Sequence, residues 1–148
     1  MGATVPHSRS RRIFEEMMTM AKETVLDGKP IIEAPWVRNQ LAELAVDIEV
    51  LKLFNYRAAW LLTQGIEPYA EASMTKVFGT ELMQRVTSAC INMMGLVGGL
   101  QPPSKLAPFG GKYQQDFLSM RLLTFGGGAN EILRDVIAMA GLGMPPSR

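Results

Sequence analysis

The sequence predicts an all-α protein, an antiparallel helical bundle with two long helices and shorter helices flanking them. Three observations lead there. Apolar residues recur in alternating steps of three and four along two long stretches, the period of an amphipathic helix. Prolines stand where these stretches open and glycines where they close, the positions at which each punctuates a helix. No segment shows the two-residue alternation of a half-buried strand.

The elements follow in chain order. Met1 to Arg12 reads as a polar segment with Pro6 and the cluster Arg9, Arg11 and Arg12, and residues 13–148 read as a single helical domain. Ser8 or Ser10 is expected to cap a helix from about Arg11 to Leu26, with Asp27-Gly28 as its stop. Lys29-Pro30 prevents continuation, and Pro30 to Pro35 reads as an extended connector. Pro35 suits the first turn of the next helix. Its stripe is Val37, Leu41, Leu44, Ile48, Leu51, Asn55, Ala58 and Leu62, with Trp36 and Trp60 as packing anchors near its ends. From Pro35 to Thr63 such a helix is about 43 Å long, and Gly65 ends it.

Pro68 opens the second long helix, which the pattern carries to Val97. Its stripe is Ala72, Thr75, Gly79, Leu82, Val86, Ala89, Met93 and Leu96, where small residues permit close approach of a neighbour. Beyond Val86 the helix is apolar on nearly every side, the sign of burial between several partners. Leu100 to Lys112 reads as a loop of about thirteen residues, a length associated with function or disorder. A short helix over Gln114 to Leu123, a glycine run at Gly126-Gly127-Gly128, and a last helix from Asn130 to Ala140 closed by Gly141 complete the chain. The tail from Met144 to Arg148 is irregular.

Composition narrows the function. The chain has 148 residues, 47% of them apolar, with 15 basic and 14 acidic side chains. One domain of this size buries roughly 70% of its unfolded surface. A net charge of +1 gives no field for gripping a phosphate backbone, so nucleic-acid binding is not expected. One cysteine, Cys90, and one histidine, His7, exclude an internal disulfide and a multi-ligand Cys/His metal site. A Ser–His–Asp triad would rest on His7, in a polar stretch. A di-iron bundle needs Glu-x-x-His pairs, and there are none. The start Met1 to Pro6 lacks the apolar core of a signal peptide, and Pro6 breaks a myristoylation pattern. Asn92 interrupts the best apolar run, Cys90 to Leu100, well short of the ~18 residues of a membrane span. The expectation is a cytosolic protein that binds no membrane.

The most suggestive stretch is Thr124 to Ile132. Three glycines entering a helix either cradle an anion on bare backbone or form a flexible turn before Asn130 as an N-cap. It is no dinucleotide fingerprint, since Glu131 stands where the third glycine would be and a helix precedes it. The arginine cluster reads as a solvated helix start, Asn55 as a register-setting polar residue, Cys90 as a small core residue, and the eleven methionines as gap-fillers. Glu131 and Asp135, spaced i, i+4, read as acids placed by the helix dipole, with acid–base work as the alternative.

Three stretches resemble the C-terminal helical domain of the acyl-CoA dehydrogenases. Gly28-Lys29-Pro30-Ile31 followed by Val37-Arg38-Asn39-Gln40-Leu41-Ala42-Glu43-Leu44-Ala45 is similar to the family's "FGKPI…Q…LAEM". Ala72-Ser73-Met74-Thr75-Lys76-Val77-Phe78 is similar to "ASMAKLF". Gly126-Gly127-Gly128-Ala129-Asn130-Glu131-Ile132-Leu133-Arg134-Asp135-Val136-Ile137-Ala138 with Gly141-Leu142-Gly143 is similar to "GGTNEIQRNIIA…GLG". The resemblance runs from about Met20 to Pro145.

That resemblance implies a flavoprotein that oxidises the Cα–Cβ bond of an acyl-CoA thioester. A carboxylate takes the α-proton and the β-hydride passes to FAD. This domain would then serve FAD binding, partly across a subunit interface, and oligomerisation as a homo- or hetero-oligomer, dimer or tetramer. Gly127, Gly128, Ala129, Asn130 and Glu131 are the implied cofactor-binding residues. No metal is implied. Several positions depart from the family pattern. Gly127 stands where many members carry the catalytic glutamate, so no catalytic residue is assigned. Thr24 stands for a flavin-binding arginine, Asp27 for a phenylalanine and Ala129 for a threonine, and Met94-Gly95-Leu96-Val97-Gly98 matches the "FGGNG" turn only loosely. A complete member also carries an N-terminal helical domain and a β-domain. The expectation is therefore a flavin-binding and oligomerisation domain, inactive as an isolated chain and meeting acyl-CoA through other domains or a partner subunit. The alternative is a non-catalytic assembly module that has lost flavin.

Overall fold

The computed structural model describes residues 5–146, so the readings placed on Met1 to Thr4, Ser147 and Arg148 lie outside the described residues. Helix α1 spans His7–Glu23. It starts earlier than the sequence pattern predicts and draws residues 7–12 into the bundle. Pro6 occupies the cap position and no side chain bonds there. Ser10 is buried instead, its hydroxyl donating to Met83 Sδ at 3.0 Å. The arginines stay at the surface in ion pairs, Arg9 with Asp116 and Arg11 with Glu15 and Glu49.

The stop after α1 is a small hairpin that the sequence reading omitted. Strands β1 (Val25–Leu26) and β2 (Lys29–Pro30) pair antiparallel. Asp27 and Gly28 take φ of 51° and 78° between them. Two left-handed residues in a two-residue loop match the twist of the strands, and Asp-Gly is a strong signal for that turn. The expected extended connector is also shorter, because Ile31–Glu33 closes into a 3₁₀ turn that drops Ile31 into the core.

Helix α2 spans Pro35–Thr63, as the pattern predicts, and buries Val37, Leu41, Leu44, Ile48, Leu51, Ala58 and Leu61. The final inward position falls on Leu61 and not Leu62, because the step from Ala58 is three and not four. Asn55 is half-buried and returns its amide to Leu51 O at 2.7 Å. Trp36 and Trp60 are not packing anchors: each is more than half exposed (52% and 56%), since each precedes a stripe residue and points about 100° away from it.

Helix α3 spans Tyr69–Met94 and is the centre of the molecule. It buries residues on every side, from Ser73, Thr75, Lys76 and Val77 to Ala89, Cys90 and Met93, and it packs on α1, α2, α4 and α5. Two ion pairs fix it antiparallel to α2: Arg57 meets Glu71 and Asp47 meets Arg85, so one chain direction runs against the other. Gly79 allows the close approach, because a Cβ there would sit 2.7 Å from Val5 Cβ and 3.2 Å from Leu51 Cδ1. Gly95, at φ 60°, ends α3 and begins a 3₁₀ turn over Gly95–Gly99. Leu96 therefore leaves the stripe it was assigned to and is 99% exposed.

The loop beyond is built of turns and ends in Pro108–Gly111, where Phe109, Gly110 and Gly111 all take left-handed backbone. The Phe109 ring stands edge-on to Tyr113 at 5.1 Å. Helix α4 covers Lys112–Ser119 and a 3₁₀ turn covers Met120–Thr124, together the single short helix expected. Tyr113 OH donates to Glu16 Oε2, and Lys112 reaches the same oxygen at 2.9 Å, tying α4 to α1. Helix α5 covers Asn130–Val136 and runs on into a π turn over Ile137–Gly141. Among the described residues no helix is long and apolar enough to cross a membrane, and no three His, Cys, Asp or Glu side chains gather as metal ligands.

Two measurements check the core. Leu82 is fully buried, so Leu82→Ala is expected to lower stability in urea by about 2–5 kcal/mol. A loss under about half a kcal/mol would remove α3 from the core. Burial, with Glu16 and Asp116 adding to it, raises the Cys90 thiol from 9.0 to about 12. Above pH 9 the unfolded chain therefore loses a proton that the folded chain keeps. Stability falls between pH 9 and 12 by on the order of 1 kcal/mol per pH unit. Cys90→Ala is expected to remove this slope in paired urea titrations at pH 8 and pH 10.

Candidate functional site

The site is built where the glycine loop meets α3. Lys76 and Thr80, four residues apart on α3, project from one face of the helix. Lys76 is only 4% exposed. Its ammonium donates to Gly128 O at 2.6 Å, to Asn130 Oδ1 at 2.8 Å and to Thr124 O at 3.4 Å. Asn130 Nδ2 donates in turn to Thr80 Oγ1 and to Glu81 Oε1, both at 3.2 Å. Arg134 reaches the same Glu81 oxygen at 2.5 Å. A chain of polar contacts thus runs from the loop through α3 to the outside of α5. Burial holds the Lys76 ammonium below its ordinary range, and the carboxylates of Glu131 and Glu81 pull it back up.

The predicted site residues fall as follows. Gly127 and Gly128 lie on the exposed loop at φ 74° and 107°. A Cβ on Gly128 would meet only the Leu133 side chain, at 3.5 Å or more, so backbone conformation and not crowding demands glycine there. Ala129 holds the cap position of α5 with extended backbone, φ −60° and ψ 140°. Asn130 is therefore not the N-cap that the sequence predicts. It is the first helical residue, and its amide is turned inward because Lys76, Thr80 and Glu81 claim it. Any contact it makes with a ligand has to use its backbone. Glu131 is exposed in the first turn of α5, where the helix dipole favours a carboxylate. A shallow groove of about 250 Å³ adjoins this end, lined by Phe54, Met74, Val77, Phe78, Glu81, Arg134 and Ile137.

Three of the other positions singled out by resemblance meet elsewhere, and Asp27 lines a separate groove with Trp36. Thr24, Met94 and Val97 line a single groove of about 520 Å³ with Met20, Met93 and Phe109. Lys76 and Met94 are separated by about 27 Å along α3 at the rise of an α-helix. Within one chain the glycine loop and this groove cannot line a common pocket.

The two places differ in how they suit FAD. The loop fits: it is exposed, residues 126–128 offer bare backbone, and two of its carbonyls are already drawn inward by Lys76. The large groove does not fit a pyrophosphate, since its lining carries Glu16 and Glu23 and no lysine or arginine.

Sequence reasoning passed over Lys76, Thr80, Glu81 and Arg134 as site residues. Lys76 had one signal, its place between Thr75 and Val77 at the edge of the apolar stripe. Its acceptors lie 48–54 residues away in the chain, beyond any local pattern.

Known proteins share this architecture. The family model described as "Acyl-CoA dehydrogenase, C-terminal domain" matches residues 3–142. Acyl-CoA dehydrogenase FadE26 of Mycobacterium tuberculosis is 37% identical over 122 residues, 80% of this chain and 30% of that protein. The ChsE4-ChsE5 complex from Mycobacterium tuberculosis superposes with a TM-score of 0.88 at 34% identity, covering 98% of this chain and 38% of the matched one. The Tcur3481-Tcur3483 steroid ACAD gives 0.85 at 33%, covering 95% and 35%. The chain spans about a third of the length of such relatives.

The loop conformation has a direct check. Gly128→Ala is expected to lower stability by about 1–2 kcal/mol, the cost of left-handed backbone for an L side chain. An unchanged melting temperature would mean the loop relaxes freely.

Proposed function

The chain belongs to the acyl-CoA dehydrogenase family as its C-terminal domain, and from that premise we propose that it is the FAD-binding and assembly domain of a two-chain acyl-CoA dehydrogenase. The observation that carries this is the separation of the glycine loop from the large groove at opposite ends of α3. A domain so arranged serves its cofactor at one end and leaves the rest of the site to other parts of the enzyme.

The backbone of Gly127, Gly128 and Ala129, with Glu131 beside it, is the part that receives FAD. Bound there, FAD supplies the acceptor for the hydride that leaves the β-carbon of an acyl-CoA thioester. Gly127 has no side chain to take the α-proton, so that proton goes to a carboxylate outside the glycine loop. The two-chain form is supported by the ChsE4-ChsE5 complex and by Tcur3481-Tcur3483, both over 30% identical to this chain. Acyl-CoA is held by the parts of the assembly that this chain does not supply.

Gly127, Thr24, Ala129 and the acidic lining of the large groove favour a second reading, an assembly module without flavin. Melting of the chain with and without 1 mM FAD (about ten times a sub-millimolar Kd) separates the two. A ligand that binds only the folded state raises the melting temperature, here by about 3 °C. A rise overturns the assembly-module reading, and no rise in the assembled enzyme overturns the flavin reading.

A further inference from the structure

We propose that Lys76 is a positioning residue for the glycine loop. It fastens the backbone on either side of Gly126 to Gly128 and so sets the shape that meets the cofactor. This rests on the reading that the loop receives FAD.

The argument begins with what the loop lacks. Gly126, Gly127 and Gly128 have no side chains, and glycine loses more backbone freedom on ordering than any other residue. The loop's shape must come from its neighbours. An ammonium has three protons and no acceptor, and Lys76 has three acceptors within reach: one carbonyl before the glycines, one at their end and the Asn130 amide oxygen after them. A single point on α3 thus closes both ends of the loop. Thr80 and Glu81 hold the Asn130 amide from its other side, which keeps Oδ1 aimed at the lysine.

Substitutes fail for stated reasons. Methionine fills the volume but takes the ammonium donor from the Thr124 and Gly128 carbonyls and from the buried Asn130 Oδ1. Arginine spreads its protons over a planar fork and cannot converge them on one point. A deprotonated lysine keeps two protons for three acceptors and must release one of them. The charged groups facing it are Glu131 on α5 and Glu81 on α3, with Arg134 paired to Glu81.

The test uses the full chain. Lys76→Met is expected to keep its helical circular dichroism while the Gly126 amide, which donates to Leu122 O at 2.9 Å, exchanges with deuterium about tenfold faster or more. FAD affinity, read from melting curves, is expected to fall by about tenfold or more. Unchanged exchange overturns the proposal, and so does faster exchange with unchanged FAD affinity, which would make the fastening structural only. A wild-type assembled enzyme that ignores FAD overturns the cofactor reading and the positioning role with it. That result is distinguishable, because the exchange difference persists without ligand. Should Lys76→Met fail to fold, the wild-type chain answers by NMR: the Gly127 and Gly128 amide shifts are expected to titrate with the midpoint of the Lys76 ε-carbon. Independence of the two overturns the proposal.

Discussion

A cation almost wholly removed from water has to be met by acceptors on all its protons, and Lys76 is the point where this fold meets that demand. Its partners come from the end of one turn, the end of the glycine loop and the first residue of α5. The position of the chain from Thr124 to Val136 on α3 follows from that bond set together with the packing of α5. An apolar residue in its place would let α5 pack but would leave the loop between them without a shape.

The same helix explains why the bundle is stable enough to hold such a group. α3 is buried along its whole length by α1, α2, α4 and α5, and its small residues let those neighbours come close. Tertiary packing of this kind and not helix propensity supplies most helical stability. The polar residues on α3 are placed where they satisfy one another or the helix backbone. Thr75 and Thr87 return their hydroxyls to carbonyls one turn back, and Thr80 and Lys76 turn to Asn130.

Much of the outer surface is apolar, with Val46, Leu53 and Trp60 along the outside of α2 and Leu118, Leu122 and Phe125 along α4 and the turn after it. Contiguous apolar patches mark interaction surfaces. They agree with a domain that spans about a third of the length of its relatives.

The two long helices were legible in the residues because the signals are local. Pro35, Thr63, Pro68 and the three-and-four spacing bound α2 and the start of α3, and each depends only on backbone geometry within a few residues. Gly126-Gly127-Gly128 was legible as a loop for the same reason, and the hairpin at Asp27-Gly28 was readable but unread. Burial was not local. A stripe reports which side of a helix is apolar, not which of two adjacent residues turns inward, so Leu61 displaced Leu62 and the tryptophans stayed outside. The buried lysine, the inward turn of Asn130 and the separation of the two resemblance-bearing regions all depend on contacts between residues far apart in the chain. Those contacts exist only once α3 has been surrounded, because a charge finds it favourable to leave water only where acceptors have already been assembled to receive it.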